Sequence, residues 1–157
     1  MGTAPTGPHY ARELTVMYRT HPAKVLINAT QITTAAEAAA VVVPILRPQV
    51  QEVVICLHLD TKRRLLGVQE VARGGVDAVH VPIRMILTAA LGEKNSQGIL
   101  VAHNHPSGDP EPSVDDLMLT RKIAEALGLV EIDLIDHIIV GAEAYVSFRE
   151  TGRMRNY

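Results

Sequence analysis

The sequence predicts an α/β (α+β) fold in which a mixed β-sheet is packed between helices. Three observations predict it. Apolar runs of strand length, at residues 52–60, 63–71 and 98–102, are bounded by turn residues. Helical patterns with recognisable starts, at Thr34, Pro82 and Ser113, lie between and after them. The order of elements combines a hairpin with strand–helix–strand steps, which a mixed sheet with helices on its faces accommodates.

Residues 1–30 read as a tail and short extended leader, and residues 31–157 as the single domain that 157 residues allow. Gly2, Pro5, Gly7 and Pro8 loosen the start. Residues 13–18 and 25–27 are short extended candidates separated by Pro22, and His9 and His21 read as surface residues. Thr33 or Thr34 then caps an alanine-rich helix to about Leu46, with Glu37 in capping-box position relative to Thr34. Pro44 should kink or stop it, and Pro48 ends it.

Residues 52–60 and 63–71 form a hairpin across Thr61-Lys62, and Gly74-Gly75 ends its second arm. Lys62, Arg63 and Arg64 read as the solvated residues of that turn. Residues 77–82 are short and extended, Pro82 begins a helix to about Leu91, and Gly92 caps it. Residues 98–102 are a buried strand, and a helix runs from Ser113 to about Leu127, ending at Gly128. Two short arms, 131–134 and 137–140, turn near Gly141 into 144–148. His137 is expected to begin a core strand and Asp136 to hold a turn. His58 and His80 are expected to face outward or to satisfy backbone groups.

Composition narrows the function classes. With 47% apolar and 20% charged residues the chain is ordinary for a globular protein, and few aromatics and no Trp make its core aliphatic. The single Cys56 sits in a strand pattern, where a buried thiol is the expected state, and it allows no internal disulfide. Nothing reads as a signal peptide or membrane span, so the expected location is cytoplasmic and no membrane partner is expected. A formal net charge of −2 gives no general basic footprint for nucleic acid.

The chemistry concentrates in residues 102–116, AHNHPSGDPEPSVDD. Residues i and i+2 of a strand share a face, so His103 and His105 converge if strand geometry persists to its end. Pro106, Pro110 and Pro112 stiffen the loop, and Gly108 permits a turn. Ser113 is an N-cap residue, which places Asp116 in the first helical turn beside the positive end of the helix dipole. Two imidazoles and one carboxylate are the donor set of a catalytic zinc, with water in the open fourth position. Asp109 and Asp115 are alternatives to Asp116. Asn104 and Ser107 line the same loop and are candidates to contact substrate. A hydrolytic site also needs a general base, for which Glu52 and Glu70, at ends of strand patterns, are the candidates.

His103-x-His105, seven residues, Ser113, two residues and Asp116 resembles, position by position, the motif of the JAMM (MPN+) metalloprotease superfamily. The fuller text of residues 103–113, with LIDHIIV at 134–140 and YVSFRE at 145–150, resembles the RadC branch of that superfamily. The resemblance covers about residues 30–152 and implies a JAB/MPN (cytidine-deaminase-like) architecture. It implies Zn2+ held by His103, His105 and Asp116. It favours Glu52 over Glu70 as base, because the family's glutamate opens the first hairpin strand about fifty residues before the histidines. It gives Ser113 a second role, as a hydrogen-bond donor to the oxyanion of an attacked amide.

The implied activity is that of a metallopeptidase or isopeptidase acting on a peptide or isopeptide-linked protein. Two other classes stand beside it: a DNA-repair-associated RadC-type module without proteolytic activity, and a metal-binding interaction scaffold. Longer family members carry a helix-hairpin-helix region, and residues 1–50 here show no such pattern, so direct DNA binding is the weaker expectation. An edge strand near the amino terminus would suit a homodimer. Four protein ligands would close a structural zinc site, whereas three leave it open for chemistry.

Overall fold

A computed structural model describes residues 31–74 and 81–154. The leader at 1–30, with His9 and His21, and the extended stretch at 77–80, with His80, therefore lie outside the described residues. Five strands form one sheet in the order β2-β1-β3-β4-β5. Three helices pack on it, in keeping with the JAB/MPN architecture.

Helix α1 (Ala35–Leu46) begins with the expected capping box: Thr34 accepts from the Glu37 N–H, and the Glu37 carboxylate accepts from the Thr34 N–H. That carboxylate also accepts from the backbone and hydroxyl of Thr33. Pro44 lies within the helix and does not stop it before Leu46. A proline so near the C-terminus removes one intrahelical hydrogen bond and leaves the earlier turns intact.

Strands β1 (Val53–Leu59) and β2 (Leu65–Arg73) form the expected hairpin. Its turn is organised by Asp60, which accepts from the backbone N–H groups of Lys62 and Arg64 and pairs with the Arg64 guanidinium. Arg63 takes up the left-handed conformation in that turn, at φ 61°. Helix α2 (Ile83–Gly92) follows Pro82 and includes Gly92 as its last residue. Strand β3 (Gly98–Asn104) runs antiparallel to β1. Helix α3 (Val114–Gly128) then crosses over to β4 (Asp133–Val140), which is parallel to β3. The short β5 (Tyr145–Ser147) closes the sheet antiparallel to β4.

Strand alternation divides the buried residues between two cores. Leu57, Leu100, Ala102 and Ile138 face α1, together with Val42 and Leu46 of that helix. Val54, Cys56, Ile99 and Val101 face α2 and α3, against Ile86, Ala89, Ile123 and Leu127. Burying one aliphatic side chain of this size contributes about 1.5–3 kcal/mol, so both faces are needed for a domain this small.

Three expectations are corrected here. Residues 131–134 and 137–140 are not two arms. A single β4 runs from Asp133 to Val140 without a break at 135–136, and a register shift opposite Ile99 and Leu100 absorbs Ile135. Asp136 consequently holds no turn. It is buried in mid-strand, accepting from the His137 and Arg149 N–H groups and the Ser147 hydroxyl. His58 does not face outward: it is 3% exposed, and its Nδ1 has no hydrogen-bond partner among the described residues. Every residue of β1 is buried, because helices cover both faces of this strand, and alternation in such a strand says nothing about exposure.

Candidate metal centre

His103 is the penultimate residue of β3, and its side chain points to the α2–α3 face. His105 follows two residues later and keeps the same direction, since its N–H still bonds to the Val140 carbonyl at 3.0 Å. The loop beyond is held in a fixed bend. Gly108 has φ 85°, and its carbonyl accepts from the Ala142 N–H. Gly141 lies so close that a Cβ there would sit 2.4 Å from the Gly108 oxygen. That loop delivers Ser113 to the start of α3. Ser113 and Asp116 form a full capping box, so Asp116 is fixed by the helix it helps to start.

The three side chains converge. His103 Nε2 lies 3.1 Å from Asp116 Oδ1, His105 Nε2 lies 3.4 Å from Asp116 Oδ2, and the two Nε2 atoms are 3.1 Å apart. A tetrahedral zinc with bonds of about 2.0–2.1 Å holds its ligand atoms roughly 3.3–3.4 Å apart, and these contacts, made to the two oxygens of one carboxylate, lie close to that spacing. His105 Nδ1 is 2.8 Å from the Asp109 carbonyl oxygen, which can only accept. Nδ1 therefore carries a proton, and Nε2 is the nitrogen that offers a lone pair in the neutral ring. Asp116 Oδ2 accepts from the N–H and hydroxyl of Ser113, at 2.8 and 2.5 Å, which leaves Oδ1 turned toward His103. Among the described residues these three are the group able to hold a metal ion.

The electrostatics agree with the geometry. Burial alone would raise the Asp116 pKa, but hydrogen bonds from His103, His105 and Ser113 outweigh it and keep the carboxyl well below its usual range. The hydrogen bond to Asp116 raises the pKa of His105 against the opposing effect of its burial, and the negative charge of Glu52 adds to that rise. The pocket thus favours a positive charge among three converging donor atoms. A divalent cation would supply it.

A cavity of about 510 Å³ opens over the triangle. Glu52, half-buried just before β1, lines it together with His103, His105, Ser113 and Asp116. Glu70 is not among the lining residues. It pairs with Arg73 on exposed β2, at 2.7 Å. Asp115 lines the cavity and Asp109 does not, and Asp116 is the carboxylate within reach of both imidazoles.

Two residues expected near substrate lie outside the cavity. Asn104 lies on the opposite face of β3 from the histidines, 3% exposed. Its Oδ1 accepts from the Val53 N–H, and its Nδ2 donates to the Gln51 and Gln49 carbonyls. It therefore braces the segment that carries Glu52 and does not face a substrate. Ser107 is exposed outside the cavity, where its hydroxyl accepts from the Asp109 N–H.

Sequence reasoning missed His137 and Thr120. His137 is fully buried, stacks on Phe148 at 4.7 Å, and places Nε2 2.9 Å from His103 Nδ1. Thr120 Oγ1 sits 2.6 Å from His137 Nδ1. One signal was present: Asp116, Thr120, Ile123 and Leu127 fall on one helical stripe, and a polar residue inside such a stripe has a buried partner.

Comparison with known proteins gives a consistent result. The family described as RadC-like JAB domain matches residues 32–153. A UPF0758 protein of Methanosarcina acetivorans is 42% identical over 116 residues, covering 74% of this chain and 50% of that protein. A UPF0758 protein of Neisseria meningitidis serogroup C is 44% identical over 103 residues, covering 66% and 45%. One from Listeria innocua is 42% identical over 116 residues, covering 74% and 51%. The chain spans about half the length of these curated relatives.

Proposed function

The chain belongs to the RadC-like JAB domain family, and from that premise we propose that it is a zinc-dependent hydrolase of amide bonds, a metallopeptidase or isopeptidase. The observation that carries the reading is the convergence of His103 Nε2, His105 Nε2 and the Asp116 carboxylate, with contacts of 3.1–3.4 Å, beneath a cavity that Glu52 also lines. Two imidazoles and a carboxylate suit zinc, and three protein ligands leave a position open to the cavity. Held by His103, His105 and Asp116, zinc would supply Lewis acidity, which lowers the pKa of water toward neutrality and polarises a carbonyl oxygen.

The chain's own residues supply the remaining steps. Glu52 takes the proton of the attacking water and returns it to the departing amine. Ser113, whose hydroxyl proton is donated to Asp116 Oδ2, turns that proton toward the oxygen of the attacked carbonyl as charge develops there. Val81, Pro82, Ile83, Met118 and Leu119 form an apolar wall beside these groups, which suits an apolar side chain next to the scissile bond. The substrate is a peptide or an isopeptide-linked protein, and the setting is cytoplasmic. No helix among the described residues is long and apolar enough to cross a membrane.

The test is a panel of peptide and isopeptide substrates presented to the zinc-loaded protein and to a Glu52→Gln variant. The reading expects cleavage by the wild type and a loss of about 10²–10⁴-fold in the variant at unchanged zinc content. Equal rates in the two proteins, or no cleavage by zinc-loaded wild type across the panel, would remove the hydrolase reading and leave a metal-binding scaffold or a DNA-repair-associated module.

A further inference from the structure

We infer that Thr120 and His137 form a positioning relay that fixes His103 in the tautomer whose Nε2 is free to bind a metal, an inference that rests on the metal-site reading above. The argument follows the protons from an atom that can only accept. Thr120 Oγ1 lies 2.6 Å from the Asp116 carbonyl oxygen, one helical turn earlier. That carbonyl has no proton to give, so the hydroxyl spends its single proton there. The 2.6 Å contact between Thr120 Oγ1 and His137 Nδ1 must then be filled by the proton of the imidazole.

His137 is fully buried between the His103 and Phe148 rings, with no carboxylate among the described residues bonded to it, and burial disfavours a charged ring there. A neutral ring with its proton on Nδ1 has a bare Nε2. The 2.9 Å contact from that Nε2 to His103 Nδ1 therefore contains a proton belonging to His103. The nitrogen of His103 left over is Nε2, which faces Asp116 Oδ1 and His105 and is the one a metal would meet.

Both ligand histidines thus end on a backbone carbonyl, His105 directly on Asp109 and His103 through two side chains on Asp116. The two anchors do different work. The Asp109 anchor belongs to the loop, whereas the Asp116 anchor belongs to the same residue that supplies the carboxylate. The first turn of α3 accordingly sets both the third ligand and the tautomer of the first one. Partners of this kind typically alter metal affinity by about 10–100-fold.

Two measurements test the relay. Nitrogen-15 NMR of the imidazoles in metal-free wild type at neutral pH reads the tautomer of His103 without any substitution. The relay requires His103 protonated at Nδ1, and protonation at Nε2 alone would overturn it. Competition between the protein and a chromophoric chelator for zinc then compares wild type with Thr120→Val, His137→Phe and His137→Gln. Thr120→Val should bind one zinc about 10–100-fold more weakly. His137→Phe should do the same, while His137→Gln, whose side-chain oxygen can still accept from His103 Nδ1, should recover part of the loss. Thr120→Val with wild-type zinc affinity and a wild-type melting temperature would overturn the relay. Should the wild type bind no zinc, the metal reading fails by itself, and the NMR tautomer still decides whether the relay exists.

Discussion

The two faces of the sheet each bury an aspartate, and the two are used in opposite ways. On the α1 face, Asp136 accepts two backbone N–H groups and the Ser147 hydroxyl. Burial pushes its pKa up despite those bonds. On the α2–α3 face, Asp116 shares one oxygen between Ser113 and His105 and turns the other toward His103, and its pKa is held down. A buried polar group whose bonds are all made to its own fold holds that fold together. One whose bonds leave donor atoms converging on a point is prepared for something else. Asn104 and His103, adjacent on β3 and pointing to opposite faces, repeat the contrast.

The contrast can be broken by exchanging the consequences of substitution. Asp116→Asn keeps the shape and much of the capping at α3, so zinc affinity should fall by more than about 100-fold, beyond what outer partners alone produce. The melting temperature in the presence of a chelator should move little. Chelator competition and thermal unfolding read the two effects separately. Asp136→Ala should do the reverse: a loss of roughly 3 kcal/mol in stability, because buried donors lose their acceptor, with one zinc still bound. Zinc loss in Asp136→Ala, or heavy destabilisation in metal-free Asp116→Asn, would dissolve the distinction.

The smallest expected effect lies at the exposed Glu37. Its hydrogen bonds to the backbone and hydroxyl of Thr33 and to the backbone of Thr34 lower its pKa from 4.5 to about 2. A carboxylate with a depressed folded pKa contributes stability above its unfolded pKa and loses it as pH falls through the folded one. Glu37→Gln should therefore lower the melting temperature slightly at pH 7. The gap to wild type should close as the pH falls from about 4.5 to about 2. A gap independent of pH would show that the charge of Glu37 plays no part.

What was legible in the sequence was local. The Thr34–Glu37 and Ser113–Asp116 capping boxes are three-residue relations, and the His103–His105 pair is a two-residue relation on one strand. Each was readable because its geometry is set within a single element. The unread part depended on register between distant strands. His137 reaches His103 only because β4 runs parallel to β3, with Val101 opposite His137 and a register shift before it. Asn104 reaches Gln49, Gln51 and Val53 because it points to the α1 face at the end of β3, and the same spacing that aligned the histidines excluded it from the cavity. His58 was misread for a related reason, since a strand covered on both sides has no outward face. Glu52 was chosen over Glu70 by resemblance. In the structure Glu70 pairs with Arg73 on β2, and Glu52 lines the cavity.

The most direct test of the central claim is elemental analysis of protein purified without added metal, beside a His103→Ala, His105→Ala double variant. The account predicts about one zinc per wild-type chain and none in the variant. Wild-type protein that holds no metal even after zinc is offered, or a double variant that keeps it, would contradict the account.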